Sequence, residues 1–493
     1  MSESGARGQG TGVPVLLGGL VAAVIVRLWI VPLTSSLSLD ELGTAWASGG
    51  GFGGILARAR LFPQSVPYVA IVWLARAAGG SSELVLRLPS LAAAGLAAYA
   101  LYRLGQELFD RETGLYAAGI FVAIPAICFA AGDARPYALG ALATTGALWT
   151  LVRWMERGRA ADALAYALLV SAAVYLQFLF AAMLPVHAWY AIRRWRRGRA
   201  AGVAQLGFVA AGVAALTAPA CWLAREVGRN RALHAFEAMP GAAALGRMLV
   251  PTGVLATVVA SFLIWWTFAT ARGRRRVSVW TKPPAEPDAL WLLVLSAVVP
   301  ALLLFALSRA IGTSVFVPRY MMCAIPAQAL LIAWVVRGIQ PVSGRSAVLA
   351  GYLVILLLAR GLKVAHTNED WRGATAAVSA ANGSRPVLLS GTYTESRNLE
   401  WVVDPRHGAY MGAPLQYYPA GGRTTILPLF FGPDAETYVR QVLESPELAN
   451  GFALVERSSK FPSWAPWLEG RGYRLAKVWD QGNPSAWMVE RSP

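Results

Sequence analysis

Residues 13–33 read VPVLLGGLVAAVIVRLWIVPL, and Arg27 is the only charged side chain among them. An apolar run of about 20 residues is long enough to cross a bilayer as a helix. No clear small-residue cleavage site follows, so we interpret the run as a retained span rather than a signal peptide. Similar runs recur near 84–105, 113–131, 136–154, 161–180, 181–196, 202–223, 247–270, 289–308, 320–336 and 346–363. The sequence therefore predicts a polytopic α-helical membrane protein with about eleven spans.

The composition agrees with this class. Of the 493 residues, 56% are hydrophobic and 14% are charged, whereas soluble domains carry about a quarter charged residues. The formal net charge of +17 comes from basic tracts between apolar runs, which is typical of cytoplasmic loops. We therefore expect no nucleic-acid partner. The three cysteines lie in or at the ends of apolar runs, and their spacing indicates neither a disulfide framework nor a metal site.

The side of the membrane on which each loop lies depends on the short apolar stretch 66–78, which Arg76 interrupts. If this stretch does not cross and the N-terminus is cytoplasmic, the basic tracts at 153–159, 193–199, 272–276 and 337–345 all lie inside. We therefore interpret 66–78 as a juxtamembrane or re-entrant helix on the outer side. The predicted location is the cytoplasmic (inner) membrane, with the active site and the C-terminal region on the extracytoplasmic side.

The pattern changes near Asn368, where short apolar runs begin to alternate with turns. We predict strands at 386–390, 424–431, 451–456 and 473–479, and helices at 371–381 and 435–445. The predicted domains are a transmembrane domain over 1–366, with its first outer loop at 34–83, and an extracytoplasmic α/β domain over 367–493. The latter carries no nucleophile–base constellation, so we expect it to bind or cover a site rather than catalyse.

Two adjacent carboxylates, Asp40 and Glu41, follow the first span. Adjacent side chains point in different directions on a helix or strand, so we expect different tasks for them. One would act as a base while the other binds a metal, caps a helix or forms an ion pair. The alternative is that both favour the N-terminus of a helix beginning near Leu42. The following Gly49–Gly54 segment lacks the Lys-Ser/Thr of a phosphate-binding loop, so we predict a flexible hinge, with an amphipathic surface helix within 42–60.

Other charged residues at the predicted outer ends of spans are candidates for chemistry, because charges at membrane depth are costly and usually functional. Asp133 and Arg135 precede a predicted helix, where the alternative is an N-cap and an interfacial anchor. Arg87 and Arg319 are placed either to bind a phosphate or to lie at the membrane interface. The outer loop 223–246, which contains His234, is basic and suits a phosphate or anionic head group.

Five short sequence segments occur in the order found in one known family. They are Ser38-Leu39-Asp40-Glu41, then Ser82-Glu83 with Leu86-Arg87-Leu88-Pro89-Ser90, then Asp133-Ala134-Arg135-Pro136-Tyr137, then Pro318-Arg319-Tyr320, and finally Asp370-Trp371-Arg372. Together they resemble the multi-spanning glycosyltransferases of the GT-C fold, in the bacterial branch related to protein O-mannosyltransferases and aminoarabinose transferase. One departure is the absence of a histidine in 62–67, where the family commonly has His-Pro-Pro.

The resemblance implies a polyprenyl-phosphate-linked sugar as donor and an active site on the outer face. It implies that Asp40 is the base or a carboxylate near a metal, and that Asp133 is a second acidic site residue. Combining this with the residue types, we hypothesise an inverting transferase in which Asp40, Glu41 and Asp133 form the catalytic set. The expected donor-phosphate ligands are Arg87, Arg135, Tyr137, Arg319 and Tyr320.

The sequence is compatible with several alternatives. A divalent cation bound by Asp133 with Asp40 or Glu41 is one option, but carboxylates alone do not identify a metal. The acceptor is a lipid, a glycan or a protein, and membrane lipids surround the spans. The principal rival is a lipid or solute transporter of the cell envelope that lines a pathway with the same charges. A third candidate is a non-catalytic assembly protein that binds partners through its C-terminal region.

Overall fold

The computed structural model describes residues 12–61, 65–198, 201–229, 238–271, 280–359, 365–457 and 462–492. Three features named above lie outside these ranges. They are residues 62–64 of the stretch that lacks the family's histidine, the basic tract at 272–276, and His234. The chain forms two compact units. We call Met1–Pro32, Pro89–Glu226 and Glu237–Lys363 the membrane unit, and Leu33–Leu88, Val227–Phe236 and Val364–Pro493 the loop–tail unit.

Helices dominate both units. Up to residue 359 the described α-helices are α1 (Gly12–Val24), α2 (Leu39–Ala47), α3 (Phe52–Leu61), α4 (Val66–Gly79), α5 (Glu83–Leu108), α6 (Arg111–Phe121), α7 (Pro125–Ala131), α8 (Tyr137–Arg157), α9 (Ala160–Leu176), α10 (Leu184–Arg196), α11 (Val203–Arg229), α12 (Ala242–Leu249), α13 (Thr252–Ala271), α14 (Pro287–Ile311), α15 (Ile325–Arg337) and α16 (Val342–Ala359). The later ones are α17 (Trp371–Asn382), α18 (Leu399–Val403), α19 (Pro405–Met411), α20 (Ala413–Tyr417), α21 (Pro433–Leu443) and α22 (Trp464–Glu469).

The predicted polytopic helical class is confirmed. Among the described residues, six helices are long and apolar enough to cross a membrane, and α6 with α7, bent by 69°, makes a seventh if the pair is one span. The six are Val15–Thr34, Glu83–Leu108, Val203–Arg225, Thr252–Ala271, Pro287–Ile311 and Val342–Ala359. The other predicted spans also contain helices, but α9, α10 and α15 have 17, 13 and 13 residues. At about 1.5 Å per residue they are shorter than a bilayer core.

Helix α8 shows why hydropathy underrates some membrane helices. Most of its side chains are buried, and it packs along α9, with Trp154 stacked on Tyr166 at a centroid distance of 5.8 Å. Its Thr144 and Thr150 hydroxyls donate to backbone carbonyls one turn earlier, at 2.9 and 2.7 Å. Polar side chains that bond within their own helix are tolerated in an apolar interior, so a buried helix need not be uniformly apolar.

Helix α4 corresponds to the short stretch whose crossing is in question. It has 14 residues, and its length of about 21 Å is below the 30 Å of a bilayer core. Arg76, which interrupts the apolar pattern, donates to the Ala45 carbonyl at 2.5 Å and to the Ser48 hydroxyl at 3.1 Å. The arginine therefore joins α4 to the end of α2 within the loop–tail unit.

The predicted amphipathic surface helix within 42–60 corresponds in part to α3, in which Ile55 and Ala59 are buried and Phe52 and Leu56 are exposed. Helix α2 already begins at Leu39, and most of its side chains are buried. A turn at Gly49–Gly51 separates it from α3, because Gly50 has a φ of 91°, which favours glycine. Arg58 donates to the Trp46 carbonyl at 2.7 Å and also to the Gly49 carbonyl. The predicted flexible hinge is thus a turn held by hydrogen bonds.

The C-terminal region contains the predicted sheet with one further strand. The strands are β1 (Val387–Ser390), β2 (Thr424–Ile426), β3 (Phe452–Glu456), β4 (Tyr473–Trp479) and β5 (Ser485–Arg491). Their order is β2-β1-β3-β5-β4, in which the first three are parallel and β5 is antiparallel to both neighbours. Leu388, Leu454 and Val489 from these strands pack with Trp464 and Leu468 of α22 in one core cluster. Strand β5 was not predicted, although 486–489 is a continuous apolar run of the kind that marks a buried strand.

Candidate active site

The start of α2 is built by the segment Ser38-Leu39-Asp40-Glu41. The Ser38 hydroxyl accepts from the Glu41 N–H at 3.4 Å, and the Glu41 carboxylate accepts from the Ser38 N–H at 2.9 Å. This reciprocal pair is a capping box, which starts a helix at a Ser-x-x-Glu sequence. Asp40 lies in the first turn and is partly exposed, whereas Glu41 is fully buried. The two acids therefore have different environments, as their adjacency predicts.

Glu41 forms an ion pair with Arg87 in which neither side chain is exposed. Arg87 Nε donates to Glu41 Oε1 at 2.7 Å, and Nη2 donates to Oε2 at 2.7 Å. The remaining donors reach the carbonyls of Leu33 at 2.9 Å, Ser35 at 2.8 Å and Ser36 at 3.2 Å. A guanidinium has five N–H donors, and these five bonds use all of them.

This geometry changes the expected role of Arg87. A donor phosphate at Arg87 would have to replace a buried carboxylate or a backbone carbonyl. Either loss leaves a buried polar group without its partner, which costs about 1–3 kcal/mol and more for a charged group. Arg87 is therefore better suited to holding the segment from Leu33 to Glu41 than to binding phosphate.

Residues of the C-terminal region complete the loop–tail unit. Tyr418 accepts from the Leu37 N–H and donates to Glu83, both at 3.0 Å. Burial raises the pKa of Tyr418, so the hydroxyl keeps its proton for this bond. Arg372 pairs with Glu83 at 3.0 Å and donates to the Thr34 carbonyl at 3.2 Å. Three of the five segments that carry the family resemblance thus meet in one unit.

The remaining predicted acid, Asp133, belongs to the membrane unit. It lies in the turn between α7 and α8 and is buried, and its carbonyl accepts from the Arg135 N–H at 2.7 Å. Asp133 is not the N-cap residue of α8, because Pro136 occupies that position. The Arg135 carbonyl accepts from the Ser90 hydroxyl at 3.2 Å.

Each predicted phosphate-binding arginine of the membrane unit lies beside an aromatic ring. The Arg135 guanidinium is 5.9 Å from the centre of the Tyr137 ring, and that of Arg319 is 5.6 Å from the Tyr320 ring. Both arginines are partly exposed. Tyr137 is buried, and Tyr320 packs against the apolar cluster that contains Phe316 and Met321. Rings held by packing limit the rotamers of the arginines above them.

The candidate metal ligands are not equally suited to binding a divalent cation. Glu41 and His366 of the loop–tail unit each offer a ligand atom within 4.8 Å of the other, and sequence spacing gave no sign of His366. However, both Glu41 oxygens already accept from Arg87, which offsets the charge that would attract a cation. Asp40 is a partly exposed carboxylate of the type that divalent cations prefer.

The comparisons with known proteins agree with this fold. Residues 65–224 match the family model described as dolichyl-phosphate-mannose-protein mannosyltransferase. No curated protein matches the sequence. The crystal structure of ArnT from Cupriavidus metallidurans in the apo state is similar, with 12% identity and a TM-score of 0.57 over 96% of this chain and 98% of that chain.

A second ArnT structure from the same organism is bound to undecaprenyl phosphate. It has 12% identity and a TM-score of 0.59 over 97% of this chain and 98% of that chain. At this identity the likeness concerns the fold, while the family model carries the chemical class. The resemblance inferred from the sequence segments is therefore confirmed, and the chain is a membrane-embedded glycosyltransferase of the GT-C fold.

Proposed function

We propose that this enzyme transfers a sugar from a polyprenyl-phosphate donor to an acceptor hydroxyl with inversion at the anomeric carbon. The family model names a lipid-phosphate sugar donor, and the similar ArnT structure binds a polyprenyl phosphate. The observation that carries the proposal is that the two adjacent carboxylates at the start of α2 differ in burial and pairing. Glu41 is buried and neutralised by Arg87, whereas Asp40 keeps a partly exposed carboxylate on the same helical turn.

In the proposed reaction, the acceptor oxygen attacks the anomeric carbon while Asp40 takes the hydroxyl proton. The bond between the anomeric carbon and the phosphate oxygen breaks, and its electron pair leaves with the polyprenyl phosphate. Arg135 and Arg319 stabilise the charge that develops on the phosphate, and Tyr137 and Tyr320 orient them. Asp133 is the second acidic residue of the site. A divalent cation bound by Asp40 and Asp133 would further offset the phosphate charge.

A transfer assay tests this proposal directly. The purified enzyme is placed in proteoliposomes with a polyprenyl-phosphate sugar that is labelled in the sugar, together with candidate lipid, glycan and peptide acceptors. We expect release of polyprenyl phosphate, and a product whose anomeric configuration by NMR is opposite to that of the donor. Retention of configuration would contradict the direct displacement, and movement of intact donor across the bilayer without cleavage would favour a transporter.

The donor-binding part of the proposal predicts the effect of Arg319→Ala. Loss of a charge-assisted contact to the leaving group should weaken donor binding and slow transfer together. The matched control is Arg309→Ala, because Arg309 also lies over an aromatic ring, 6.0 Å from that of Phe305, and is exposed. We expect the Arg309 variant to bind donor as the wild type does. Equal loss in both variants would indicate a general effect of removing positive charge.

The proposed orientation predicts which loops are shielded from outside. Single cysteines near Arg157 and Arg197, in a background without the native cysteines, should resist a membrane-impermeant thiol reagent in intact cells. A cysteine at Glu447, an exposed position in the C-terminal region, should react. The cysteines near Arg157 and Arg197 should be protected because short basic loops stay on the cytoplasmic side. The reverse labelling pattern would place the active site on the other face.

A further inference from the structure

The residue before Asp40 has both of its backbone polar groups bonded to side chains of the C-terminal region. The Leu39 N–H donates to Glu369 Oε2 at 2.7 Å, and the Leu39 carbonyl accepts from the Tyr393 hydroxyl at 2.8 Å. Leu39 is the first residue of α2, and a first-turn N–H has no partner inside its own helix. Glu369 thus supplies the acceptor that α2 lacks, at the position adjacent to the proposed base.

The Glu369 carboxylate also accepts hydrogen bonds from two other side chains of the C-terminal region. Its Oε1 accepts from Arg457, with Nε at 2.9 Å and Nη2 at 2.8 Å, and its Oε2 also accepts from the Trp371 indole at 2.9 Å. The carboxylate is 8% exposed. Arg457 directly follows β3, and the backbone of Asp370 donates to the Asn483 carbonyl, just before β5, at 2.7 Å. A continuous set of hydrogen bonds therefore links the sheet to the first turn of α2.

We propose that Glu369 is a positioning residue for the Asp40 carboxylate, and that the C-terminal region acts in catalysis through it. This inference rests on the proposed function of Asp40 as the base. A base must lie within hydrogen-bond reach of the acceptor proton, and a displacement of about 1 Å can lower a rate about 10²-fold. The region predicted to bind or cover a site instead fixes the backbone that carries the base.

A substitution at Tyr393 disturbs the bonding of the Leu39 backbone with a smaller change to the surrounding structure. Its ring packs against that of Tyr410 at a centroid distance of 4.2 Å, and Tyr410 packs against Trp46 of α2 at 5.5 Å. Tyr393→Phe keeps this packing and removes only the hydroxyl that binds the Leu39 carbonyl. The variant separates positioning of α2 from the folding of the region around it.

The test compares Glu369→Ala, Glu369→Gln and Tyr393→Phe in the full-length enzyme, with Glu447→Ala as control. Glu447 is also paired with an arginine, Arg423, at 3.2 Å, but is 55% exposed. We expect Glu369→Ala to lower kcat about 10- to 100-fold with donor KM near wild type. Glu369→Gln should recover only part of the rate, because an amide oxygen that accepts from Leu39 leaves the amide N–H groups facing the Arg457 donors. Tyr393→Phe should also give an intermediate loss.

Combining each substitution with Asp40→Asn distinguishes positioning from general damage. If Glu369 acts through Asp40, Glu369→Ala should not lower the residual rate of Asp40→Asn further. A further loss by the same factor would overturn the proposal, as would wild-type kcat in both Glu369→Ala and Tyr393→Phe when Asp40→Asn is inactive. Wild-type transfer by Asp40→Asn would instead overturn the assignment of the base, whatever the Glu369 variants do.

Discussion

Asp40→Asn is expected to lower sugar transfer by about 10²–10⁴-fold, the usual contribution of general base catalysis. Asparagine keeps the size and polarity of the side chain and is well tolerated near a helix N-terminus, but it cannot accept the acceptor proton. The substitution also leaves the capping box of Ser38 and Glu41 in place. Donor binding should therefore survive while turnover is lost, which a binding assay and a transfer assay on the same preparation would measure.

The chain offers a close control for this experiment. Asp434 occupies the first turn of α21, as Asp40 does in α2, and is exposed in the same unit. Asp434→Asn removes the same charge from the same helical position, so any effect on the helix N-terminus alone should appear in both variants. Transfer at the wild-type rate in Asp40→Asn, or equal loss in both, would refute the assignment of Asp40 as the base.

Arg87→Ala is expected to destabilise the enzyme by about 3–5 kcal/mol, the cost of removing one member of a buried ion pair. It leaves the Glu41 carboxylate and the carbonyls of Leu33, Ser35 and Ser36 without these donors. Arg87→Lys keeps the charge but loses the planar fork that reaches several acceptors, so we expect an intermediate loss. Thermal unfolding in detergent and protease resistance of the loop–tail unit are suitable measurements.

Arg103→Ala is the control for Arg87→Ala. Arg103 lies on the same helix, α5, and its guanidinium donates to the exposed Tyr99 hydroxyl at 2.9 Å. Arg103 is partly exposed and also lies 5.3 Å from the centre of the Trp149 ring. Cation–π contacts at exposed sites contribute about 0.5–1 kcal/mol, so we expect a loss well below that of Arg87→Ala. The double variant Glu41→Gln with Arg87→Ala should lose less than the sum of the single losses, because the two residues share one interaction. Normal stability combined with weak donor binding in Arg87→Ala would return Arg87 to the phosphate-binding set.

The local sequence accounts for much of the architecture. The apolar runs predicted the membrane helices, because crossing a bilayer requires about 20 apolar residues whatever their neighbours are. The short apolar runs that alternate with turns after Asn368 predicted four of the five strands, since a short apolar run bounded by turn residues is typical of a buried strand. The segment Ser38-Leu39-Asp40-Glu41 likewise predicts an N-terminal cap, because its bonds lie within one turn. These features depend on residues that are close in the chain.

The roles of individual charged residues depended on tertiary structure. From the sequence alone, Arg87 fits a phosphate ligand or an interfacial residue equally well. Only its hydrogen bonds across the loop favour the role of holding that loop. The contact of Glu369 with Leu39 joins positions 330 residues apart, and no periodicity or spacing encodes such a pair. The acidic pair is visible in the sequence because its two carboxylates are adjacent and follow the first apolar run. Long-range packing decided that Glu41 is neutralised and that Asp40 remains the partly exposed carboxylate.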